Sequence, residues 1–245
     1  MNHSMRVETG IAGLDKMLAG GFIPGSANLL RGAPGTGKTL LALQFLLHGA
    51  ALGEPGLLIS FEEFPQSLHT DAQALGWDLR PLEEEGLLHL YFTSPQVLLK
   101  GLEAPTGRLS ELFLEKGVQR VVVDSVTHFT RLTNDQAELR RIYHGLINAL
   151  KREGATSLLL AEEGRMDSQR AERGQLSFVV DSITLLRYVE IESAIQRAIT
   201  VMKMRGSDHV KEIRRYEIRR GGLVVTGVFE NRENILTGIS HRVGR

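Results

Sequence analysis

Eight consecutive residues, Gly32-Ala33-Pro34-Gly35-Thr36-Gly37-Lys38-Thr39, satisfy the pattern G-x-x-x-x-G-K-[ST] at every fixed position. A chance match in a chain of this length is on the order of one in a hundred. The pattern also dictates local structure. Glycines let the backbone curl so that successive N–H groups turn inward as an anion nest. A helix starting inside the motif adds the partial positive charge of its N-terminus. Lys38 brings a full charge to the β- and γ-phosphates of a bound nucleoside triphosphate, and the Thr39 hydroxyl is placed to ligate Mg²⁺.

The surrounding pattern supplies the strand and helix that such a loop needs. Ala27 to Leu30 is a short apolar run after the Pro24-Gly25 turn, and Lys38 to Ala51 is a helix apolar nearly all round, hence buried. Further strands are expected at Leu57–Phe61, Leu87–Phe92, Val121–Asp124 and Ser157–Ala161. Helices are expected at Pro65–Leu75 and along the stripe Leu139, Ile142, Tyr143, Leu146, Ile147 and Leu150. This alternation predicts an α/β domain with a mostly parallel sheet covered by helices on both faces. After Asp181 the rhythm changes to two long strands, Ser182–Glu190 and Ala194–Arg205, with shorter ones around Tyr216 and Leu223, predicting an antiparallel flank. Without repeats or a Pro/Ser-rich linker, residues 1–245 read as one domain.

Lysine plus arginine equals aspartate plus glutamate, 29 against 29. The whole molecule therefore exerts no net pull on nucleic acid or anionic membrane. The absence of cysteine excludes disulfides, thiol catalysis and cysteine-ligated zinc. No apolar run approaches the roughly 20 residues of a membrane span, and Met1–Thr9 shows no secretory signal. The expectation is a cytoplasmic protein without a membrane role.

A phosphate cradle does not hydrolyse its ligand alone. The reaction also needs an acid near the metal, a base for water, and positive charge at the departing phosphate. Asp124 ends the apolar run Arg120-Val121-Val122-Val123 at the edge where such sheets gather ligands, and suits Mg²⁺. Glu62 and Glu63 end the strand after the loop helix. Extended backbone sends neighbours to opposite sides, so one carboxylate faces the γ-phosphate. Glu62 is the expected base and Glu63 its support, or a contact to a neighbouring subunit.

Lys203 and Arg205, two apart on a strand, project together as a positive fork. Between positions 203 and 220 seven basic residues stand against three acids. Such a segment either wants phosphate or is a solvated edge kept basic against aggregation. On the residues alone the two readings stand level. The eight histidines show no metal-ligand spacing and read as surface or packing residues, except His209 beside the basic segment.

Several pieces together resemble the KaiC family of RecA-like P-loop NTPases over nearly the whole chain. They are Thr9-Gly10-Ile11-Ala12-Gly13-Leu14-Asp15, Gly20 to Gly25, Phe61-Glu62-Glu63, Pro65-Gln66, Gly76-Trp77-Asp78-Leu79, and Lys203-Met204-Arg205-Gly206-Ser207-Asp208-His209. The resemblance implies a hexameric homo-oligomer with ATP and Mg²⁺ between subunits, and a protein partner. Gly35, Thr36, Gly37, Lys38, Thr39 and Leu40 would hold ATP from one subunit. Lys203, Met204, Arg205, Ser207 and His209 would reach it from the next, which turns the fork into a finger supplied in trans. KaiC clock proteins carry two such domains in tandem, whereas this sequence holds one copy. Their autokinase domain has a phosphorylated Ser-Thr pair where this chain reads Ser177-Phe178, so phosphorylation cycling is not expected in full.

Three functions compete: a ring-forming ATPase, which leads; a RecA-like recombination accessory binding DNA through Arg165, Arg170 and Arg173; and a serine autokinase modifying Ser177. Glu162, Glu163, Asp167 and Glu172 offset the arginines of the second reading, and that loop lacks an aromatic residue for base stacking.

Overall fold

Burial along the strands explains the architecture. A computed structural model of the chain describes residues 6–103, 108–163, 176–230, 232–233 and 241–242. Strands β1 (Ala27–Gly32), β2 (Gly56–Ser60), β3 (Leu88–Phe92), β4 (Arg120–Asp124) and β5 (Thr156–Glu162) are short and, apart from β3, buried along nearly their whole length. A run buried on both faces belongs inside a parallel sheet with helices above and below.

Nine strands form that sheet, in the order β3-β2-β4-β5-β1-β6-β7-β8-β9. The last four are β6 (Ser182–Ile191), β7 (Ala194–Met204), β8 (Arg214–Arg219) and β9 (Gly222–Val228). Strand β6 is parallel to β1, and the antiparallel flank begins at β7. The sequence pattern places both long strands in the flank. The structure gives the first of them to the parallel core, because Asn28 to Gly32 run in register with Ser182 to Leu186.

Two apolar layers cover the sheet. On one face α1 (Leu14–Met17), α2 (Lys38–Ala51) and α3 (Pro65–Ala74) pack through Leu14, Met17, Leu41, Phe45, Leu46, Leu68 and Ala72. On the other lies α7 (Gln136–Arg152), whose Leu139, Tyr143, Leu146, Ile147 and Leu150 form the expected buried stripe. Asp135 caps this helix, accepting from Ala137 N at 2.9 Å. Between β2 and α7 the sequence pattern misses the short helices α4 (Arg80–Glu84), α5 (Pro95–Glu103) and α6 (Arg108–Leu114), and the 3₁₀ helix Val126–Arg131. The signal for α5 was a serine before a proline: Ser94 Oγ accepts from Val97 N, with Pro95 in the first turn.

One polar group crosses the buried layer. Arg120 is 1 % exposed, and its guanidinium lies 4.7 Å from the Phe45 ring centroid. It donates to Glu54 Oε2 (2.7 Å), Glu8 O (2.7 Å) and Phe45 O (2.9 Å), tying the N-terminal segment, α2 and β4 together. Removing it strands two carbonyls and leaves a space. Arg120→Ala is therefore expected to lower unfolding stability by about 3 kcal/mol, read as a fall in the urea midpoint.

Candidate functional site

Gly35 and Gly37 adopt φ +77° and +92°, a backbone that side chains disfavour. A Cβ at either position would also force the end of a neighbouring side chain to shift. A Cβ on Gly37 would stand 2.7 Å from Ile218 Cδ1, and one on Gly35 2.9 Å from Tyr188 Oη. Thr36 is fully buried; its hydroxyl donates to Ala33 O, and its carbonyl accepts from Tyr216 Oη at 2.6 Å. The loop is thus held from behind by β6 and β8.

Lys38 begins α2 and turns back over the loop, donating to Gly32 O (3.0 Å) and Ala33 O (3.2 Å). Burial pulls its pKa down, opposed by Glu162 and Asp124. Thr39 Oγ1 donates to Asp124 Oδ2 at 2.8 Å, joining the start of α2 to the end of β4. Burial raises the Asp124 pKa, while the Thr39 hydrogen bond and the Lys38 charge lower it.

A cleft of ≈ 380 Å³ opens over the loop. It is lined by Gly35, Gly37, Lys38, Thr39 and Leu40, by Glu63, by Asp71, Ala74 and Leu75 on and just after α3, and by Ile218. A charged end beside an apolar end suits a nucleotide. Thr39 and Asp124 present two hard oxygen atoms side by side, the donor type Mg²⁺ takes while retaining water. Among the described residues no group of three or more His, Cys, Asp or Glu could hold a metal. A bound Mg²⁺ would accordingly complete its shell with phosphate oxygens and water.

Glu62 and Glu63 lie just beyond the end of β2, with Glu62 in a bend and not on extended strand, and the carboxylate that lines the cleft is Glu63 where Glu62 was expected. Glu63 lines the cleft, and its buried Oε2 has no hydrogen-bond partner. Burial, then the charges of Asp124, Asp71 and Glu62, raise its pKa. Glu62 instead turns to the 3₁₀ helix, with Oε1 3.1 Å from His128 Nε2 and 3.5 Å from Arg131 Nη2. His128 is therefore no surface histidine. Its closeness to Glu62 comes from β2 and β4 being neighbours in the sheet, and no spacing along the sequence signals it.

The C-terminal fork lies elsewhere. Lys203 Nζ donates to Ser177 O (2.5 Å) and Val180 O (2.7 Å), and Arg205 Nη2 to Phe178 O (2.5 Å). Both side chains do project to one side. Burial and the Arg205 charge lower the Lys203 pKa, and Asp181 opposes them. Met204 is half-buried against the α2-side core. Ser207 Oγ accepts from Arg6 Nη2 at 2.7 Å, and His209 N donates to Asp208 Oδ1 at 2.9 Å. Gly32 is level with Leu186, whereas Met204 is level with Ser182. Four residues of strand separate them, roughly 13 Å of rise. The fork stands at the opposite edge of the sheet from its own phosphate loop. The segment 164–174, with Arg165, Arg170 and Arg173, lies outside the described residues.

A sequence model of the KaiC ATPase matches residues 7–229. The chain belongs to the KaiC ATPase family. It is 35% identical over 239 residues to the circadian clock oscillator protein KaiC of Picosynechococcus sp., covering 97% of this chain and 46% of that protein. It is 36% identical over 241 residues to KaiC of Thermosynechococcus vestitus, covering 98% and 46%. KaiC 1 of Synechocystis sp. is 34% identical over 239 residues, covering 97% and 46%. The chain thus spans about half the length of these relatives. No helix among the described residues is long and apolar enough to cross a membrane.

The carboxyls at the site make a checkable difference to stability. Asp124 and Glu63 have folded-state pKa values raised above 3.8 and 4.5, so the native state binds protons more tightly than the unfolded chain. Both therefore favour folding less as pH rises through the window above those values. Asp124→Asn keeps an acceptor for Thr39 without the buried charge. Urea unfolding of the nucleotide-free protein at pH 7 is expected to show it more stable than wild type, with a weaker loss of stability as pH rises from about 4.

Proposed function

We propose that this chain binds Mg·ATP in the cleft over Gly32–Thr39 and hydrolyses it at a site completed by a second copy of itself. The observation carrying this reading is the sheet register. The Lys203/Arg205 fork cannot reach its own loop across roughly 13 Å of strand, which favours a neighbour's phosphates as the ones it would serve. A head-to-tail contact joins two different surfaces, and such contacts close into a ring where the rotation from copy to copy closes; the proposed assembly is a hexamer.

The chain's groups then have distinct roles. Loop amides and Lys38 bind and orient the triphosphate. Thr39 and Asp124 hold Mg²⁺, which supplies positive charge to the phosphate oxygens. Glu62 accepts the proton of the attacking water as the water oxygen bonds to the γ-phosphorus and the bond to the bridging oxygen of ADP breaks. Arg205 and Lys203 of the neighbour stabilise the charge on the departing phosphoryl group. Glu63, with its raised pKa, lines the cleft and supports Glu62. The relatives are named for a circadian clock oscillator. By analogy, hydrolysis here would change subunit contacts and the binding of a protein partner, a regulatory role in the cytoplasm.

Mixed assemblies test the split site. Lys38→Ala should lose nucleotide binding, measured by titration with a fluorescent ATP analogue. Glu62→Ala and Arg205→Ala should each lose turnover alone by 10²-fold or more, about the size expected for a base or a charge-stabilising finger. Mixed one to one, they should regain phosphate release, because about a quarter of head-to-tail interfaces then combine an intact Glu62 with an intact Arg205. A mixture as inactive as its parts rules out trans catalysis.

A serine autokinase has one observation in its favour. The Ser177 carbonyl accepts from Lys203 Nζ, so Ser177 would accompany the fork towards a neighbour's γ-phosphate. Incubation with Mg·ATP followed by intact-mass measurement should then show a gain of one phosphoryl group in wild type and none in Ser177→Ala. An unchanged wild-type mass rejects the kinase reading and leaves the ATPase reading standing.

A further inference from the structure

We propose that His128, assisted by Arg131, is a positioning residue for Glu62. Holding Oε1 of that carboxylate leaves Oε2 as the oxygen that takes the proton from the attacking water. The inference rests on the reading of Glu62 as the base.

The geometry is specific. Glu62 Oε1 lies 3.1 Å from His128 Nε2 and 3.5 Å from Arg131 Nη2, and both partners come from the 3₁₀ helix that starts two residues after Asp124. An ionised carboxylate only accepts, so a hydrogen bond across this distance would be donated by His128 Nε2. That holds for the imidazolium and for the Nε2-protonated neutral ring alike, so the contact does not require His128 to be charged. The ring cannot wander. His128 is 9 % exposed, and Phe61 meets it edge-on at 5.9 Å between centroids. Phe61 in turn packs edge-on against Phe129, and Phe129 against Tyr143 of α7.

The helix is anchored at both neighbouring strands. His128 N donates to Ser125 O beside Asp124, and Thr127 Oγ1 accepts from Glu162 N at the end of β5. One rigid turn therefore sets the spacing between the proposed Mg²⁺ ligand and the proposed base. Asp124 also lies within electrostatic reach of His128. Arg131 is largely exposed, so solvent screens its contribution; His128 carries most of the effect.

A base held in place acts on the chemical step and little on binding. His128→Ala is expected to lower kcat about 10-fold with KM for ATP changed less than about 2-fold. His128→Gln, which keeps an N–H donor at similar reach, should recover most of the loss. Arg131→Ala, at an exposed position with no packing role, should lower kcat less than about 3-fold. In a Glu62→Gln background, His128→Ala should have no further effect on turnover. Equal losses for the Ala and Gln variants, or the same fold-loss with and without Glu62, would overturn the proposal and point to ring packing. Wild-type turnover in Glu62→Gln would overturn it differently, by removing Glu62 as the base.

Discussion

Within five residues the chain must leave a buried central strand, turn its amides inward, and enter a buried helix. That transition from β1 to α2 governs the rest of the molecule. It puts two left-handed glycines against Tyr188 and Ile218, so β6 and β8 must lie directly behind the loop. It starts α2 with Lys38 and Thr39, which sends the lysine over the loop and the threonine to Asp124. Strand β4 must then end where it does. The order of the central strands follows from what the loop has to touch.

The same arrangement explains why the site is poorly balanced as a piece of folded protein. Burial pushes the Asp124 and Glu63 carboxyls towards protonation, the Asp124 charge pushes Glu63 further, and Lys38 is a cation pushed the other way. Lys38 settles for two loop carbonyls. Charges that oppose folding are the ones a triphosphate and a divalent cation would neutralise. The buried Arg120 contrasts with them: its donors meet a carboxylate and two carbonyls, and it serves the scaffold.

Much of this was legible in the residues. The phosphate loop, α2 and the five parallel strands β1 to β5 followed from a strict motif and short buried apolar runs, whose periodicity leaves little choice. Asp124 was placed by its position at the end of β4, whereas β2 stops at Ser60 and the paired glutamates follow it, Glu62 in a bend. The region after β2 was less readable. Helices α4 to α6 are short and only partly buried, so no long stripe marks them. The parallel pairing of β6 with β1 is a long-range choice that alternation along β6 does not encode. His128 went unnoticed as a partner of Glu62 because their closeness depends on β2 and β4 being neighbours, which is a fact of topology and not of spacing. The partners of Lys203 and Arg205, the carbonyls of 177 to 180, are backbone atoms and leave no trace in side-chain pattern.

Strand β6 has one further consequence. Its middle backs the phosphate loop through Tyr188, while its first residue sits level with Met204 at the far edge. In a closed head-to-tail assembly this makes it a connecting rod, with a nucleotide at one end and the next protomer's nucleotide near the other. Pockets joined through such a strand would be coupled reciprocally, so that nucleotide bound at one would alter the affinity of the next and be altered by it in turn.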